Sequence, residues 1–319
     1  MRALVLGGSG LFGKYSCLAL LNDPDFERVV SFDIAPPSEY FLRRVEPYGD
    51  RFRFVRGDVS QLEEILVAAS ENQVDRMVNW AMILSKAPNP RANTKVGALG
   101  MCNVFEAARI LGIKRVVYAS SETVYGHQED YGEREVTEDD RLLPCTGSFY
   151  ALAKCLAEVM AAEYKQLYGI EPTALRPCVG YGHGGKDPKF VRWFSQIVSL
   201  PAVGQPVHMP CTGEWKFSIV YAADVAQFAR LALKSPSSPH SAYNLGGPPC
   251  TLKEVAAMVK KFIPDAVITF GTEPEDCELP WLISCERARA DYGFSLMSLE
   301  EAVKHHIAEA RLEAGLETS

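Results

Sequence analysis

The chain has 319 residues, 47% apolar and 23% charged, an ordinary balance for a soluble globular protein with one large core or two modest ones. Its net charge of −7, a pI near 5.5 and the lack of any Lys/Arg block argue against nucleic acid and membrane as partners. Nine cysteines, none in a C-x-x-C pair, point to free thiols in a reducing cytoplasm, and six histidines without metal spacing argue against a metal centre.

Arg2–Leu6 is an apolar run long enough for a buried parallel strand and too short for a leader peptide or a membrane span. It breaks into Gly7-Gly8-Ser9-Gly10-Leu11-Phe12-Gly13, with glycine at the first, fourth and seventh places, and Lys14–Leu21 then reads as a helix. Such a strand, turn and helix direct free backbone N–H groups and a positive dipole end at one point, a pyrophosphate site that Gly7, Gly10, Leu11, Phe12 and Gly13 would form. A second strand, Val29–Phe32, ends on Asp33, twenty residues after Gly13, where a carboxylate accepts both ribose hydroxyls of an adenosine and repels a 2′-phosphate. NAD is therefore expected over NADP.

Strand and helix signals then alternate through Phe52–Val55, Leu62–Ala69, Arg76–Asn79, Ala98–Leu111, Arg115–Ala119, Tyr150–Tyr168 and Pro172–Leu175. The alternation predicts an α/β fold, a doubly wound parallel sheet of the Rossmann type. Beyond Arg176 glycine and proline cluster at 180–188 and 201–213 around a helix at Lys189–Leu200. Phe217–Tyr221, Asp224–Lys234 and Tyr243–Leu245 look like one more unit returning to the sheet, and Thr251/Glu254 and Ser298/Glu301 are capping boxes opening two late helices. The predicted organisation is a dinucleotide domain at 1–176, rejoined by 217–247, and a smaller discontinuous substrate lobe at 177–216 and 248–319.

Ligands in such sheets bind beyond the carboxyl ends of the strands, here Gly57-Asp58-Val59, Asn79-Trp80-Ala81, Ser120-Ser121 and Arg176-Pro177. Asp58 suits either the adenine amino group or the N-cap of the next helix. Trp80, Met82 and Ile83 suit an apolar pocket wall or core. The loop His127–Arg141, with seven acids against two arginines, suits a rim of the substrate cleft or a solvated surface. Ser120–Gly126 follows a strand end, and Tyr150 and Lys154 stand one helical turn apart, so that an ammonium beside a phenol would favour phenolate and lower its pKa for proton transfer.

With these motifs the chain resembles an extended short-chain dehydrogenase/reductase of the NAD-dependent epimerase/dehydratase family, nearly end to end. The match takes in the glycine turn, Asp33, Gly57-Asp58-Val59, Ser120–Gly126, Tyr150/Lys154, Leu175-Arg176-Pro177, Tyr221–Val225 and Tyr243–Gly246. The resemblance implies Tyr150 as acid/base, Ser121 on the substrate oxygen, and Lys154 on the nicotinamide ribose while tuning Tyr150. It also implies Pro177 beside the nicotinamide, Asp58, Val59 and Ala81 along the cofactor, and Met82, Glu122 and Thr123 along a small-molecule substrate. It further implies a homodimer in which Ala98–Leu111 and Tyr150–Tyr168 form a four-helix bundle, although their apolar faces would equally suit core.

Three departures stand out. Gly97 replaces the family's asparagine, Phe217 (beside Lys216) replaces a diphosphate-clamping arginine, and Glu273-Pro274-Glu275-Asp276 lies where a further arginine is expected. Acids and a point-charge lysine serve a diphosphate poorly. The expected function is therefore NAD-dependent hydride transfer at a secondary alcohol or ketone of a small, uncharged, carbohydrate-like substrate. The alternatives are a nucleotide-sugar epimerase or dehydratase that recycles its NAD, and a dinucleotide-sensing protein without chemistry, against which the intact Tyr150 and Lys154 count.

Overall fold

The structure, a computed structural model, describes residues 1–83, 89–143, 148–275, 277 and 279–317. Its first half runs β1 (Arg2–Leu6), α1 (Leu11–Leu21), β2 (Arg28–Asp33), α2 (Glu39–Val45), β3 (Phe52–Arg56), α3 (Leu62–Glu71) and β4 (Arg76–Asn79). Then come α4 (Pro90–Asn93), a π-helical turn (Thr94–Leu99), α5 (Gly100–Leu111), β5 (Arg115–Ala119), a 3-10 turn (Glu122–Tyr125), α6 (Phe149–Tyr168) and β6 (Glu171–Pro177). The rest is β7 (Val179–Tyr181), α7 (Lys189–Ala202), β8 (Val207–Cys211), β9 (Phe217–Tyr221), α8 (Ala222–Lys234), β10 (Ala242–Leu245), β11 (Pro249–Cys250), α9 (Leu252–Phe262), β12 (Ile268–Glu273), α10 (Glu286–Tyr292) and α11 (Leu299–Glu313).

Seven parallel strands form the main sheet in the order β10-β6-β5-β4-β1-β2-β3, the doubly wound arrangement expected. Buried on both faces, β1 sends Ala3 and Val5 into a core shared with α1 and α8, and Leu4 and Leu6 into one shared with α3, α5 and α6. The continuous apolar run is what such a two-sided strand requires. α8 and β10 return to this body, but β9 does not join its sheet: it pairs with β7 and β11 in a separate three-stranded sheet. β8 and β12 make a parallel pair, and α7, α9 and α11 close a third core over it. Both capping boxes form as expected, Thr251 and Ser298 each accepting from the backbone N–H of the glutamate three residues on. No described helix is long and apolar enough to cross a membrane, and no group of three His, Cys, Asp or Glu among the described residues is placed to hold a metal ion.

Candidate active site

The strand order reverses beside β1, with β2 on one flank and β4 on the other, so a crevice opens at their carboxyl ends. There Gly7 has φ +75°, and a Cβ on it would stand 2.6 Å from the Ala81 amide nitrogen. A Cβ on Gly13 would lie 2.0 Å from the Gly7 carbonyl, so no side chain fits between helix and turn. Gly10 differs: its Cβ would meet only the Gly7 carbonyl, at 3.2 Å. It is also the N-cap of α1, with no side-chain cap and no acid in the first turn. The opening N–H groups of α1 therefore face the crevice as an anion cradle.

Two cavities meet at this turn, sharing Gly7, Gly10, Trp80, Met82 and Ile83. One, about 530 Å³, is lined by Asp33, Asp58, Val59 and Ala81. Asp33 is fixed at the tip of β2 by accepting the Ser9 and Ala35 N–H groups, each at 3.0 Å. Asp58 does not cap α3, whose N-cap is Gln61; it accepts the Ser60 N–H at 2.8 Å and stands 3.7 Å from Lys95. Of its two sequence readings, the capping one is thus corrected: the chain turns on Asp58 before the helix begins. Asn103 anchors α5 here by donating to the Val59 carbonyl at 3.0 Å, and Gly100 lets the helix come close to Val59.

The second cavity, about 470 Å³, is lined by Gly13, Leu11, Phe12, Met82, Ser121, Glu122, Thr123, Tyr150 and Pro177. Ser121, just past β5, accepts the Thr123 N–H at 3.2 Å and faces the Tyr150 phenol within hydrogen-bonding reach. Ser148 caps α6, accepting the Ala151 N–H at 3.1 Å, which sets Tyr150 in the first turn with Lys154 one turn deeper. Lys154 is the one nominated residue lining neither cavity: it is buried behind Tyr150 and donates to the Ala119 carbonyl at 2.6 Å. Burial lowers its ammonium to about 7, partly opposed by the Glu158 carboxylate. Burial also raises the Tyr150 phenol to about 12, although the Ser121 hydrogen bond pulls the other way. The expected lowering by Lys154 is therefore overruled in the protein alone, because desolvation dominates and the ammonium is directed at a carbonyl. Behind the site, Glu158 holds Arg176 at 2.6 Å and takes the Ser120 hydroxyl, while Arg176 donates to the Tyr125 phenol at 2.5 Å, bracing the turn that carries Ser121.

The three departures have physical causes. A Cβ on Gly97 would lie 2.8 Å from the Ala153 Cβ and 3.1 Å from the Met82 Cε, so an asparagine does not fit where the π-helical turn crosses α6. Phe217 is buried among Phe190 and Phe194, and Lys216 lies over the Trp281 ring at 5.1 Å. One oxygen of Glu275 accepts the Thr212 hydroxyl and the Glu214 and Trp215 N–H groups; Asp276 lies outside the described residues. The acidic loop lines neither cavity, and Glu129, Asp130, Glu133, Glu135 and Asp139 are exposed, so of its two readings the solvated surface holds for most of its acids. Asp140 clamps Arg134, Glu138 accepts the Asn244 N–H, Asp139 pairs with Arg287, and Gln128 accepts the Trp281 and Leu282 N–H groups. Two of its seven acids, Glu138 and Asp139, together with Gln128, dock it to the C-terminal part of the chain.

Sequence reasoning missed Asn93, Cys178, Gly180, Phe190, Val191 and Leu279, all of which line the second cavity. Gly180 had a signal in its place just beyond a strand end: its Cβ would lie 2.4 Å from the Phe12 ring. Phe190, Val191 and Leu279 carry none, being brought in by the remote fold. The crevice fits a dinucleotide by the bare Gly10 cradle, the fixed Asp33, and a buried Trp80 indole N–H lacking a protein partner.

Comparison with known proteins agrees. A sequence model described as NAD dependent epimerase/dehydratase family matches residues 3–246. An uncharacterized protein of Methanocaldococcus jannaschii is 27% identical over 271 residues, 82% of this chain and 80% of the relative. The UDP-glucose 4-epimerase of Thermus thermophilus, solved with NAD, superposes with a TM-score of 0.81 at 24% identity, covering 98% of this chain and 99% of the other. A GalE-like L-threonine dehydrogenase from Cupriavidus necator gives 0.80 at 20% identity, covering 97% and 99%. The crevice, its glycine turn and the family match together identify the chain as a member of the NAD-dependent epimerase/dehydratase family, an enzyme of the extended short-chain dehydrogenase type with NAD as its cofactor.

Proposed function

We propose that this enzyme catalyses hydride transfer at a secondary alcohol or ketone of a small, non-nucleotide, carbohydrate-like substrate held in the 470 Å³ cavity. The observation that carries the reading is the cavity lining: Ser121 and Tyr150 stand in an otherwise largely apolar wall, and no Lys or Arg lines it among the described residues. A diphosphate would find no bidentate clamp there. NAD, when bound, supplies the hydride acceptor or donor. Gly7, Gly10, Leu11, Phe12 and Gly13 would hold its pyrophosphate and Asp33 its adenosine ribose. Asp58, Val59 and Ala81 would flank the adenine end, with Pro177 and Lys154 at the nicotinamide end. Ser121 fixes the substrate oxygen, Tyr150 passes the proton, and Met82, Glu122 and Thr123 contact the substrate body.

A nucleotide-sugar epimerase or dehydratase with recycled NAD is the second reading, favoured by relatives such as the probable UDP-glucuronate 4-epimerase of Rhizobium meliloti. Calorimetry with UDP separates the two: no binding at millimolar concentration supports the first, and micromolar affinity overturns it. A homodimer through α5 and α6 belongs to the proposal, supported by an exposed stripe of Leu152, Leu156 and Val159 continued by Ile110. So does a reducing, cytoplasmic setting, in keeping with nine scattered cysteines that form no C-x-x-C pair. Sedimentation of the wild type against Leu156→Glu tests the dimer, which the charge should split.

A further inference from the structure

A further cavity, about 600 Å³, lies apart from the crevice and shares no lining residue with the two cavities there. β7, β9, β11, α8, α9 and α11 each contribute to it, and Ile219, Val220, Pro248, Met258, Leu296 and Leu299 make its wall largely apolar. Two oxygens on that wall are left over by the fold. Asp224, 4% exposed, accepts the Met297 N–H through Oδ2 at 3.2 Å, while its Oδ1 takes no hydrogen bond from the described residues. The hydroxyl of Tyr181, a residue 2% exposed, takes none either. Neither atom is sealed inside the core, and the void that both residues line is this one. Buried polar groups are ordinarily paired, so two unpaired oxygens opening into one apolar cavity mark the place of a ligand.

The character of that ligand follows from the charges around it. Asp224 forms no ion pair among the described residues; burial raises its carboxyl to about 7, with the Met297 N–H opposing and Glu301 adding. Burial and the Asp224 charge together hold the Tyr181 phenol above its ordinary value, so the two groups are electrostatic neighbours. The remaining titratable groups are engaged elsewhere. Lys261 of α9 pairs with Glu300 at 2.7 Å, and Glu254 and Glu301 serve the Thr251 and Ser298 caps. The Tyr221 hydroxyl donates to Glu309, and the Cys250 thiol of β11 faces the Thr251 carbonyl. The cavity therefore offers a carboxylate without a cation and, near it, a phenol oxygen able to accept. An alcohol would leave the charge uncompensated, whereas an ammonium neutralises it and has donors for both oxygens.

We propose that this cavity is a second small-molecule site, separate from the dinucleotide crevice, for an amine with an apolar body whose ammonium donates to Asp224 and Tyr181. The apolar wall takes the body, and the site is independent of the reaction at Tyr150.

Calorimetry on the full chain tests it with 2-phenylethylamine and 2-phenylethanol, which share a skeleton and differ only in the head group. At pH 8 the amine should bind at least about tenfold more tightly than the alcohol, as a hydrogen-bonded charge requires. Asp224→Asn keeps the shape and the acceptor for the Met297 N–H but removes the charge. It should erase most of the preference and leave the affinity for the alcohol unchanged. Tyr181→Phe removes one oxygen and should weaken the amine about threefold to tenfold, an arm that survives if Asp224→Asn does not fold. The probe stays protonated while the acid ionises near pH 7, so wild-type affinity for the amine should rise about tenfold from pH 6 to pH 8. That rise should vanish in Asp224→Asn. Equal affinities for amine and alcohol, no saturable binding of the amine at millimolar concentration, a flat wild-type pH profile, or an Asp224→Asn variant that binds the amine as the wild type does would each overturn the inference.

Discussion

Replacing Gly97 by alanine tests whether the π-helical turn and α6 touch as closely as the structure has them. The added methyl would stand 2.8 Å from the Ala153 Cβ, and that neighbour cannot swing away because it is fixed to the α6 backbone. Overpacking of this kind costs about 1–3 kcal/mol. A glycine-to-alanine change inside a helix returns roughly 1 kcal/mol, leaving a net loss of about 0–2 kcal/mol for the single variant. The sharper quantity is the coupling with Ala153→Gly, which removes the opposing methyl: the double variant should recover about 1–3 kcal/mol relative to the sum of the singles. Urea unfolding of the four proteins measures it. Ala153 lies between Tyr150 and Lys154 on the same helix, so Gly97→Ala should also slow turnover and the double variant should restore it. Additivity within about 0.5 kcal/mol would refute the claimed contact.

Asp33→Ala should weaken NAD binding and reduce a preference over NADP that the wild type is expected to show at roughly 2–3 kcal/mol; equal wild-type affinities in a fluorescence titration would contradict the ribose assignment. The buried Lys154 ammonium gives a signed pH effect: with its folded pKa lowered from 10.5 to about 7, the unfolded chain binds more protons between those values, so this residue's contribution to stability rises with pH from about 7 to about 10. The urea midpoint of wild type minus that of Lys154→Met should increase over that window, and a flat difference would show the lysine to be hydrated. Glu158→Ala should destabilise the fold by about 3–5 kcal/mol, since it leaves the buried Arg176 guanidinium unpaired; a loss below about 1 kcal/mol in the same assay would contradict the pairing.

Much of the fold was legible because it is written locally. Arg76–Asn79, Arg115–Ala119 and Phe217–Tyr221 begin and end where the apolar runs do, and the capping boxes mark their helices. What is long-range was not legible. The runs of β9 and of a returning strand look alike in sequence, but β9 pairs with β7 and β11, a choice made by distant segments. β8 and β12 are short, partly exposed strands, and β8 carries Pro210, so their period is weak. At the site, Ser121 and Tyr150 carry motif spacing and do meet, whereas Phe190 and Leu279 reach the same cavity with no local signature. The docking of the loop His127–Arg141 was not legible because a count of charges omits their partners: Arg287 lies more than a hundred residues away from Asp139. The phenol's upward shift was missed for a related reason, since helix spacing reports the neighbour at i+4 but not the burial around both groups.

The central claim, proton transfer by Tyr150 at the mouth of a dinucleotide crevice, is tested most directly by Tyr150→Phe. The change removes one oxygen and preserves the helix and the ring. Measured as NADH formation at saturating NAD, turnover should fall by roughly a hundredfold or more while NAD affinity holds, because the glycine turn, Asp33 and Lys154 remain. A variant that keeps near-wild-type turnover would mean that the proton leaves by another group, and the reading of this site would be wrong.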